Sequence, residues 1–520
     1  MLRTVRQSQQ GNRGAGTAPL RRPGAVASQS ALRQQPGARE HGVQRDRAPA
    51  GVVRGRPAAA RHPLCRQDVN AQLAQYEDAV KQAFDAIVPT LKQISALQHE
   101  ADFEARARRI ARDGLGFELP PAILAAAWVE QLDMRRLFAW CVFQTYSRFC
   151  NDFFGARPTG AAEEFEEFLR SCGFHSMDIS PCADGRLAHL VRYVLRLSPR
   201  AVRRKSYAGA MFDVDDSVRK WTEVELRRYR EGKPNAADAP TRYLKLAVYH
   251  FSSGAPEREG CAAHGSDTAQ AAQAALDRLI AFRQAIENSY CCGASIDLLL
   301  IGLDTDCDAI RIHVPDETGE MALERHIDSQ RLYDETAKLS AAAAAGSIED
   351  AVRSCSPGVA AGMANLIVRL VENNLSQIDY VRARHGVAYP DIGHAERFIG
   401  AGVGFEDVQL RNLMYFAYLD TVEDGAADID VGIRIFKGLN VRHGLPVPVV
   451  VRFDYHGVVP GARDRAVQHC GRVAQALTTR YADLHAKGLL HVLQAVRDCD
   501  TAAALEIIAC SVDQPETEAH

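Results

Sequence analysis

Between residues 155 and 395, strand-like runs alternate with stretches of helical periodicity, and this alternation limits the folds open to the chain. The strand-like runs include "HSMDIS", "YLKLAVYHF", "SIDLLLIGL" and "IRIHV". Continuous apolar runs of this kind are typical of strands in a buried, largely parallel sheet. The pattern predicts an α+β fold in which residues 155–395 form an α/β domain around such a sheet.

The last part of the chain, residues 396–520, offers a similar pattern. The runs "DVGIRIF" and "PVPVVVRFDY" predict strands, each followed by a helical stretch. Asp304 and Asp454 each come directly after an apolar strand, which is a faint sign of an internal duplication. A duplicated domain and an unrelated second sheet are both compatible with this pattern.

Residues 63–154 carry an apolar stripe at helical spacing. Its members return every three or four positions: Leu73, Tyr76, Val80, Phe84, Ile87, Leu91 and Ile94. A stripe of this kind predicts an all-α domain that serves packing and assembly. Because 520 residues exceed what one hydrophobic core organises, separate domains are expected for this region and for the two that follow.

The first 62 residues differ from the rest in charge and in apolar content. They hold 12 Arg, no Lys and two acidic residues, or +10, whereas the remainder carries −13, which together make the net −3. They contain no Phe, Tyr or Trp, so they bury too little apolar surface to offset the entropy of ordering. A disordered arm over 1–62 is predicted, and a solvated tail or a transit peptide are alternatives. No membrane segment is expected.

The sharpest signal for chemistry is the segment "SPCADGRLAHL", in which Cys182, Asp184 and Arg186 alternate. Alternation along an extended backbone places these side chains on one side. The segment follows a predicted strand and precedes a predicted helix, so it lies where α/β sheets form their ligand sites. Taken alone, the pattern also suits a turn closed by an Asp and Arg ion pair.

Two further candidate ligands are His250, at the end of "YLKLAVYHF", and Cys261, eleven residues later. Two thiolates and one imidazole fill three corners of a tetrahedral zinc site and leave the fourth open, which is typical of catalytic zinc. The sequence thus predicts one Zn2+ per chain on Cys182, His250 and Cys261. His189 and His264 are candidates for proton transfer, although an unrelated surface histidine is the simpler interpretation of each.

Cys-x-Asp-x-Arg followed by a histidine and a second cysteine resembles the zinc site of β-class carbonic anhydrases. That class usually has His-x-x-Cys, whereas ten residues separate His250 from Cys261 here. The wider gap, the helical front and the basic arm are similar to those of the carboxysome shell carbonic anhydrases, a divergent β-like branch once called the ε class. The resemblance covers about residues 68–515 and includes the runs "SPCADGR", "DTDCDAIRIHVPD", "GHAERFIGAGVGFEDVQLRNLMYFAYLDTVEDGA" and "DVGIRIFKGLN".

The resemblance implies a zinc-dependent enzyme that interconverts CO2 and bicarbonate inside the carboxysome and supplies CO2 to Rubisco. It implies hydroxide on the zinc as nucleophile, with Asp184 and Arg186 as a catalytic dyad beside the open position. It also implies that residues 396–520 are a degenerate copy of the catalytic domain without ligands. Rubisco, and shell proteins as further partners, would bind through the arm, and a homodimer or a trimer of dimers is expected.

Two other functions remain open at this point. One is a scaffold of a protein microcompartment whose zinc is only structural, which a fourth protein ligand such as Asp184 would favour. The other is nucleic-acid binding by the Arg-rich arm. The arm has no aromatic residues among its arginines, so no nucleic-acid partner is expected.

Overall fold

The computed structural model describes residues 61–127, 131–152, 161–199, 201–290, 295–315, 320–392, 394–405, 410–419, 422–501 and 503–512. The predicted arm, residues 1–62, lies outside these ranges except for Arg61 and His62. His62 is buried, and its backbone N–H donates to Asp379 Oδ1 at 3.0 Å. His62 therefore belongs to the packed body of the protein.

The front of the described chain is helical, as its apolar stripe predicts. Its helices are α1 (Gln67–Asp85), α2 (Ile87–Ser95), α3 (Phe103–Leu115), α4 (Pro121–Ala126) and α5 (Met134–Asp152). The stripe faces inward, with Tyr76 half-buried and the other six members fully buried. None of the helices in the described residues combines the length and the apolar composition of a membrane-spanning segment.

A six-stranded sheet organises the next part of the chain and confirms the predicted α/β domain. Its elements are α6 (Ala161–Ser171), β1 (Ser176–Pro181), β2 (Arg203–Arg204), α7 (Val214–Arg230), β3 (Tyr243–Phe251), α8 (Thr268–Tyr290), β4 (Ile296–Asp304), β5 (Ile310–Pro315), β6 (Met321–Asp328), α9 (Ser329–Thr336), α10 (Ala341–Cys355) and α11 (Ala361–Arg384). The strand order is β2-β1-β3-β4-β5-β6, parallel from β2 to β4 and antiparallel beyond. All nine positions of β3 are buried, as expected of a strand with both faces covered.

A second sheet of five strands follows. Its elements are β7 (Phe398–Val403), β8 (Met414–Tyr418), α12 (Val422–Leu439), β9 (Val447–Tyr455), α13 (Ala462–Arg480), α14 (Ala482–Ala486), β10 (Leu490–Asp498) and β11 (Glu506–Cys510). The strand order is β11-β10-β9-β7-β8, and only β11 is antiparallel. The helical front packs its core against this sheet, where Phe398, Phe416 and Val450 join the same apolar cluster as α1, α2 and α5.

The strand predicted for "DVGIRIF" is wrong, because this run lies inside α12. Ile429, Ile433 and Phe436 are buried in the core of the second sheet, at the spacing of one helical face. The run contains β-branched residues that suit either structure, so its local composition favoured a strand although its burial follows the helical period.

Each sheet contains a turn with the same pattern of hydrogen bonds. This similarity supports the predicted duplication but changes its alignment. Asp304 Oδ1 accepts backbone N–H groups from Ser253 at 3.2 Å and from Asp306 at 3.0 Å. In the second sheet, Asp498 Oδ1 accepts the corresponding groups from Gly457 at 3.0 Å and Asp500 at 2.9 Å. The structural counterpart of Asp304 is therefore Asp498. Asp454, which the sequence paired with Asp304, corresponds by its place in the strand to His250.

A buried carboxylate ties α1 to the end of α11. Glu77 Oε2 accepts the Tyr380 hydroxyl at 2.5 Å and lies 3.2 Å from His385 Nε2. Burial opposes ionisation of Glu77, but the contact with His385, the charge of Lys81 and the Tyr380 bond outweigh it and lower its pKa to about 2. This carboxylate is therefore ionised at neutral pH.

We expect Glu77→Gln to destabilise the protein in a pH-dependent way. The pKa of Glu77 falls from 4.5 to about 2 on folding, which corresponds to about 3 kcal/mol of stability at neutral pH. Because the folded-state pKa is lowered, this contribution is complete above the ordinary pKa and is lost as the pH falls through that value towards 2. Urea unfolding of both proteins from about pH 7 down to about pH 3 measures it. A difference that stays constant with pH would contradict the assignment.

Candidate metal centre

Cys182 is held at the carboxyl end of β1 by the sheet itself. Its backbone N–H donates to Val248 O in β3 at 3.0 Å, and the next residue, Ala183, bonds Tyr207 O at 2.9 Å. The chain is therefore still extended where the cysteine side chain leaves it. The Gly209 N–H points at Cys182 Sγ at 3.3 Å, which suits a sulfur that carries negative charge.

His250 and Cys261 reach the same point from β3 and from the loop that follows it. His250 is the next-to-last residue of β3, and parallel pairing of β1 with β3 places both strand ends at one edge of the sheet. The loop after β3 is fixed by Asp306 Oδ2, which accepts from Ser252 Oγ at 2.8 Å and from the Gly254 N–H at 2.6 Å. It returns Cys261 to 3.8 Å from Cys182, measured between the sulfurs.

The three side chains fit a tetrahedral zinc ion. The candidate ligand atoms of Cys182, His250 and Cys261 all lie within 4.8 Å of one another, and all three residues are buried. Two thiolates bound at ~2.3 Å in a tetrahedral site stand about 3.8 Å apart, which is the separation of these sulfurs. Neither ring nitrogen of His250 has a hydrogen-bond partner in the described structure, although the residue is 0% exposed. A buried imidazole whose ring nitrogens make no hydrogen bond is unfavourable unless a bound ligand, such as a metal ion, occupies one of them.

The two thiols are coupled to each other. Their contact and burial raise the pKa of Cys182 well above its usual range, whereas the same contact lowers the pKa of Cys261. In the absence of a cation the pair therefore retains a proton, which a metal ion would displace on binding.

Asp184 and Arg186 form a bidentate ion pair beside these ligands. The guanidinium donates from Nε to Asp184 Oδ1 at 3.0 Å and from Nη2 to Oδ2 at 2.8 Å, and the Arg186 backbone N–H adds a bond to Oδ1 at 2.9 Å. Both residues are buried. Burial opposes ionisation, but the charges of Arg186 and His250 hold the pKa of Asp184 well below its usual range. Asp184 is thus an acceptor with a fixed orientation, 3.6 Å from His250 Nε2.

The same guanidinium also fixes the loop that carries Cys261. Arg186 Nη1 donates to Glu259 O at 2.6 Å, and Nη2 donates to Gly260 O at 3.3 Å. These carbonyls immediately precede Cys261, so one side chain orients both the acidic partner of the site and one of its thiols. These bonds hold the end of the loop that carries Cys261 in place.

Sequence reasoning missed two residues at this site, His394 and Glu396. His394 Nε2 lies 4.0 Å from Asp184 Oδ2, and its Nδ1 lies 2.9 Å from Glu396 Oε1. Burial opposes its protonation, but the charges of Asp184 and Glu396 raise the pKa of His394 to about 9. Both residues lie within the run "GHAERF", yet nothing in that run links them to a segment about 210 positions earlier.

The two histidines proposed for proton transfer make other contacts. His264 is half-buried, and its Nε2 is 3.2 Å from Gly209 O. The expectation that His189 is a surface residue is wrong, because it is 1% exposed and its Nε2 lies 2.6 Å from Asp308 Oδ2. Neither His189 nor His264 is among the potential metal ligands grouped around the site.

The second sheet has an ion pair where the first has candidate metal ligands. Arg452 donates from Nε to Asp454 Oδ1 at 2.6 Å and from Nη2 to Oδ2 at 2.7 Å. Gly404 directly follows β7, and a Cβ there would lie 2.6 Å from the Asp454 carboxylate. Potential metal-ligand groups in the described residues comprise only Cys182, His250 and Cys261 and, beside them, Asp184, His394 and Glu396. The space of the first site is thus closed by side chains in the second.

Comparison with known proteins gives a consistent result. Three family models match, all described as carboxysome shell carbonic anhydrase: the N-terminal region over 62–154, the catalytic domain over 164–394 and the C-terminal region over 395–512. Relatives of that name include proteins of Parasynechococcus marenigrum strain WH8102 and Prochlorococcus marinus strain MIT 9313, each 54% identical over 88% of this chain and over 80% and 91% of their own lengths. The relative from Halothiobacillus neapolitanus strain c2 is 44% identical over 89% of this chain and 93% of its own length.

We expect Cys182→Ser to lose most of the zinc that the purified protein carries, because it removes one thiolate of a three-ligand set. Elemental analysis of the purified variants measures the metal per chain. Cys470→Ser is the matched control: Cys470 is also fully buried, and its thiol donates to Ala495 O at 3.2 Å in the second sheet. Full zinc content in Cys182→Ser, or equal loss in both variants, would contradict the assignment.

Proposed function

This chain belongs to the carboxysome shell carbonic anhydrase family, and we propose that it interconverts CO2 and bicarbonate at a zinc ion held by Cys182, His250 and Cys261. The observation that carries this proposal is the pairing of a thiol, thiol and imidazole set with an ionised aspartate beside it. The sulfurs stand 3.8 Å apart, neither ring nitrogen of His250 has a hydrogen-bond partner in the described structure, and Asp184 Oδ2 lies 3.6 Å from His250 Nε2.

Zinc bound here would lower the pKa of a water that completes its coordination, which supplies a hydroxide nucleophile near neutral pH. The two cysteines, as thiolates, balance the charge of the ion within a buried site. His250 is buried near the end of β3 and its backbone is fixed by the sheet, so the ligand geometry is set before any substrate arrives.

Asp184 and Arg186 act as a dyad that orients the nucleophile. An ionised Asp184 is too acidic to serve as a general base, but it accepts a hydrogen bond and so directs a nucleophile toward CO2. Arg186 occupies both carboxylate oxygens, which keeps Asp184 from turning toward the ligands. His394 is 31% exposed and adjoins Asp184, so it is the described residue best placed to exchange protons with solvent.

A second function, a scaffold with a purely structural zinc, is less well supported. It requires a fourth protein ligand, and Asp184 is the nearest candidate. Both oxygens of Asp184 are engaged by Arg186, which favours an open fourth position and hence catalysis.

We place this activity inside the carboxysome, where it would supply CO2 to Rubisco. The relatives are named as carboxysome shell proteins. We further propose that the arm, which carries +10 over residues 1–62, binds Rubisco or shell proteins through repeated weak contacts between arginines and acidic surfaces.

The division into an arm, a helical domain, a catalytic domain over 155–395 and a degenerate copy over 396–520 remains part of this proposal, as does a dimer or a trimer of dimers.

We expect Arg186→Ala to lose about 10²-fold in kcat for CO2 hydration per bound zinc, because Asp184 loses its orientation. Stopped-flow hydration assays, normalised to bound zinc, measure the effect. Arg452→Ala is the matched control, since Arg452 makes the same bidentate pair with an aspartate two positions away but in the second sheet. Unchanged turnover in Arg186→Ala would remove the dyad from the mechanism.

We expect deletion of residues 1–60 to leave CO2 hydration per zinc unchanged and to abolish packaging into carboxysomes. The deletion ends before His62, because His62 is bonded to Asp379 within the packed body. Activity of the purified protein and its recovery in isolated carboxysomes are the two measurements. A truncated protein that is still packaged would refute the role of the arm, and one that is folded but inactive would show that the arm contributes to the site.

A further inference from the structure

A buried carboxylate in the turn between β4 and β5 joins four separate segments of the chain. Asp308 is 0% exposed, and its Oδ2 accepts the Tyr389 hydroxyl at 2.6 Å and the Gln377 side-chain amide at 2.9 Å. The same oxygen lies 2.6 Å from His189 Nε2, and Oδ1 accepts from Arg411 Nη1 at 3.1 Å. A carboxylate with this number of hydrogen-bond and ion-pair partners is held in one position.

The conformation and the charge of Asp308 both depend on these partners. Its backbone has φ +59°, in the left-handed region that a non-glycine residue rarely adopts. The turn is closed by the Asp308 N–H, which donates to Asp304 O at 2.8 Å, and by Asn374 Nδ2, which donates to Asp308 O at 2.8 Å. Burial opposes ionisation, but His189 and Arg411 outweigh it and keep the pKa of Asp308 below its ordinary value.

The first connection from Asp308 to the dyad runs through His189. His189 lies three residues after Arg186, in a segment that begins as a 3-10 turn (Gly185–Leu187) and continues as a single π-helical turn (Leu190–Val194). Such irregular turns lack the regular hydrogen-bond pattern of an α-helix and are common at functional sites. External contacts therefore have to hold this segment, and the bond between His189 and Asp308 is one of them.

The second connection runs through Arg411. The residue after it, Asn412, donates its backbone N–H to Gly185 O at 2.8 Å, and Gly185 lies between Asp184 and Arg186. The turn of Asp308 also reaches the dyad directly, since Thr305 Oγ1 lies 3.5 Å from Arg186 Nη1. The segment that carries the dyad is thus held on both sides by groups that converge on one carboxylate.

We propose that Asp308 is a positioning residue for the Asp184 and Arg186 dyad, acting through His189 and Arg411. This inference rests on the proposed function, because it concerns the efficiency of that dyad. Asp308 would contact neither the metal nor the substrate. Its loss would let the dyad move relative to Cys182, His250 and Cys261, and displacements of about 1 Å are enough to slow a reaction about 10²-fold.

The test compares Asp308→Asn with Glu77→Gln in the full-length, zinc-loaded protein. Both changes convert a buried carboxylate to its amide. Both carboxylates have a tyrosine, a histidine and an arginine as partners, which for Glu77 are Tyr380, His385 and Arg384. No hydrogen bond or ion pair described for Glu77 reaches the segment that carries the dyad, although the ring of its partner His385 lies 5.1 Å from that of Tyr389. The two changes are therefore expected to destabilise the protein to a similar extent. Only Asp308, however, is bonded to residues that hold the dyad.

We expect Asp308→Asn to keep its zinc and its KM for CO2 but to lose about tenfold or more in kcat per zinc. Glu77→Gln should keep its kcat within about twofold despite a similar loss of thermal stability. Crystal structures of the two variants should show Asp184 and Arg186 displaced only in Asp308→Asn. Wild-type kcat in Asp308→Asn, or an equal fall in both variants, would overturn the inference.

A second variant covers the case in which Asp308→Asn does not fold. Tyr389→Phe removes one hydrogen bond from Asp308 Oδ2 and leaves its ion pair with Arg411 in place. A lowered kcat at full zinc content and unchanged KM supports the inference, and wild-type kcat overturns it. Should the wild-type protein itself fail to hydrate CO2, the proposed function is refuted. The position of the dyad in the crystal structures then still decides the role of Asp308.

Discussion

Parallel pairing of β1 with β3 is the constraint on which the site depends. In this register Pro181 lies opposite Val248, so the residues that follow β1 and the last residues of β3 emerge at the same edge. Cys182 and His250 meet there because both strands point the same way. A slip of one residue would turn His250 to the opposite face and separate the pair. The register is in turn held by burial, since every position of β3 is covered.

Arg186 links the strand end that bears Asp184 to the loop that bears Cys261. One guanidinium bonds both oxygens of Asp184 and the carbonyls of Glu259 and Gly260, which lead into Cys261. A buried arginine without such partners would be strongly unfavourable, so formation of the loop and ionisation of Asp184 depend on each other. Asp308 is linked to the segment that carries the dyad through His189 and through Arg411, whose neighbour Asn412 bonds Gly185 O. The result is a site whose geometry is set by folding and whose polar groups need little reorganisation during a reaction.

The second sheet shows that the fold does not require the metal ligands. It retains parallel central strands and the turn in which Asp498 takes the place of Asp304. At its strand ends, however, Asp454 stands where the first sheet has His250, Gly404 lies against the Asp454 carboxylate, and Arg452 pairs with it. Sheet pairing and turn hydrogen bonds are backbone interactions, whereas metal binding depends on a few side chains. A duplicated fold can therefore keep its architecture after its chemistry has been replaced.

Local patterns were enough to predict the helical stripe, the buried strands, and the alternation of Cys182 with Asp184 and Arg186. Each depends on neighbours within a few residues, where periodicity and burial agree. The prediction failed at "DVGIRIF", whose composition suits a strand although its burial is helical. Only the tertiary structure brought His394 to Asp184 and His189 to Asp308, because these contacts span about 210 and 119 positions. Such contacts are decided by how sheets and helices pack together, and no local pattern encodes that packing.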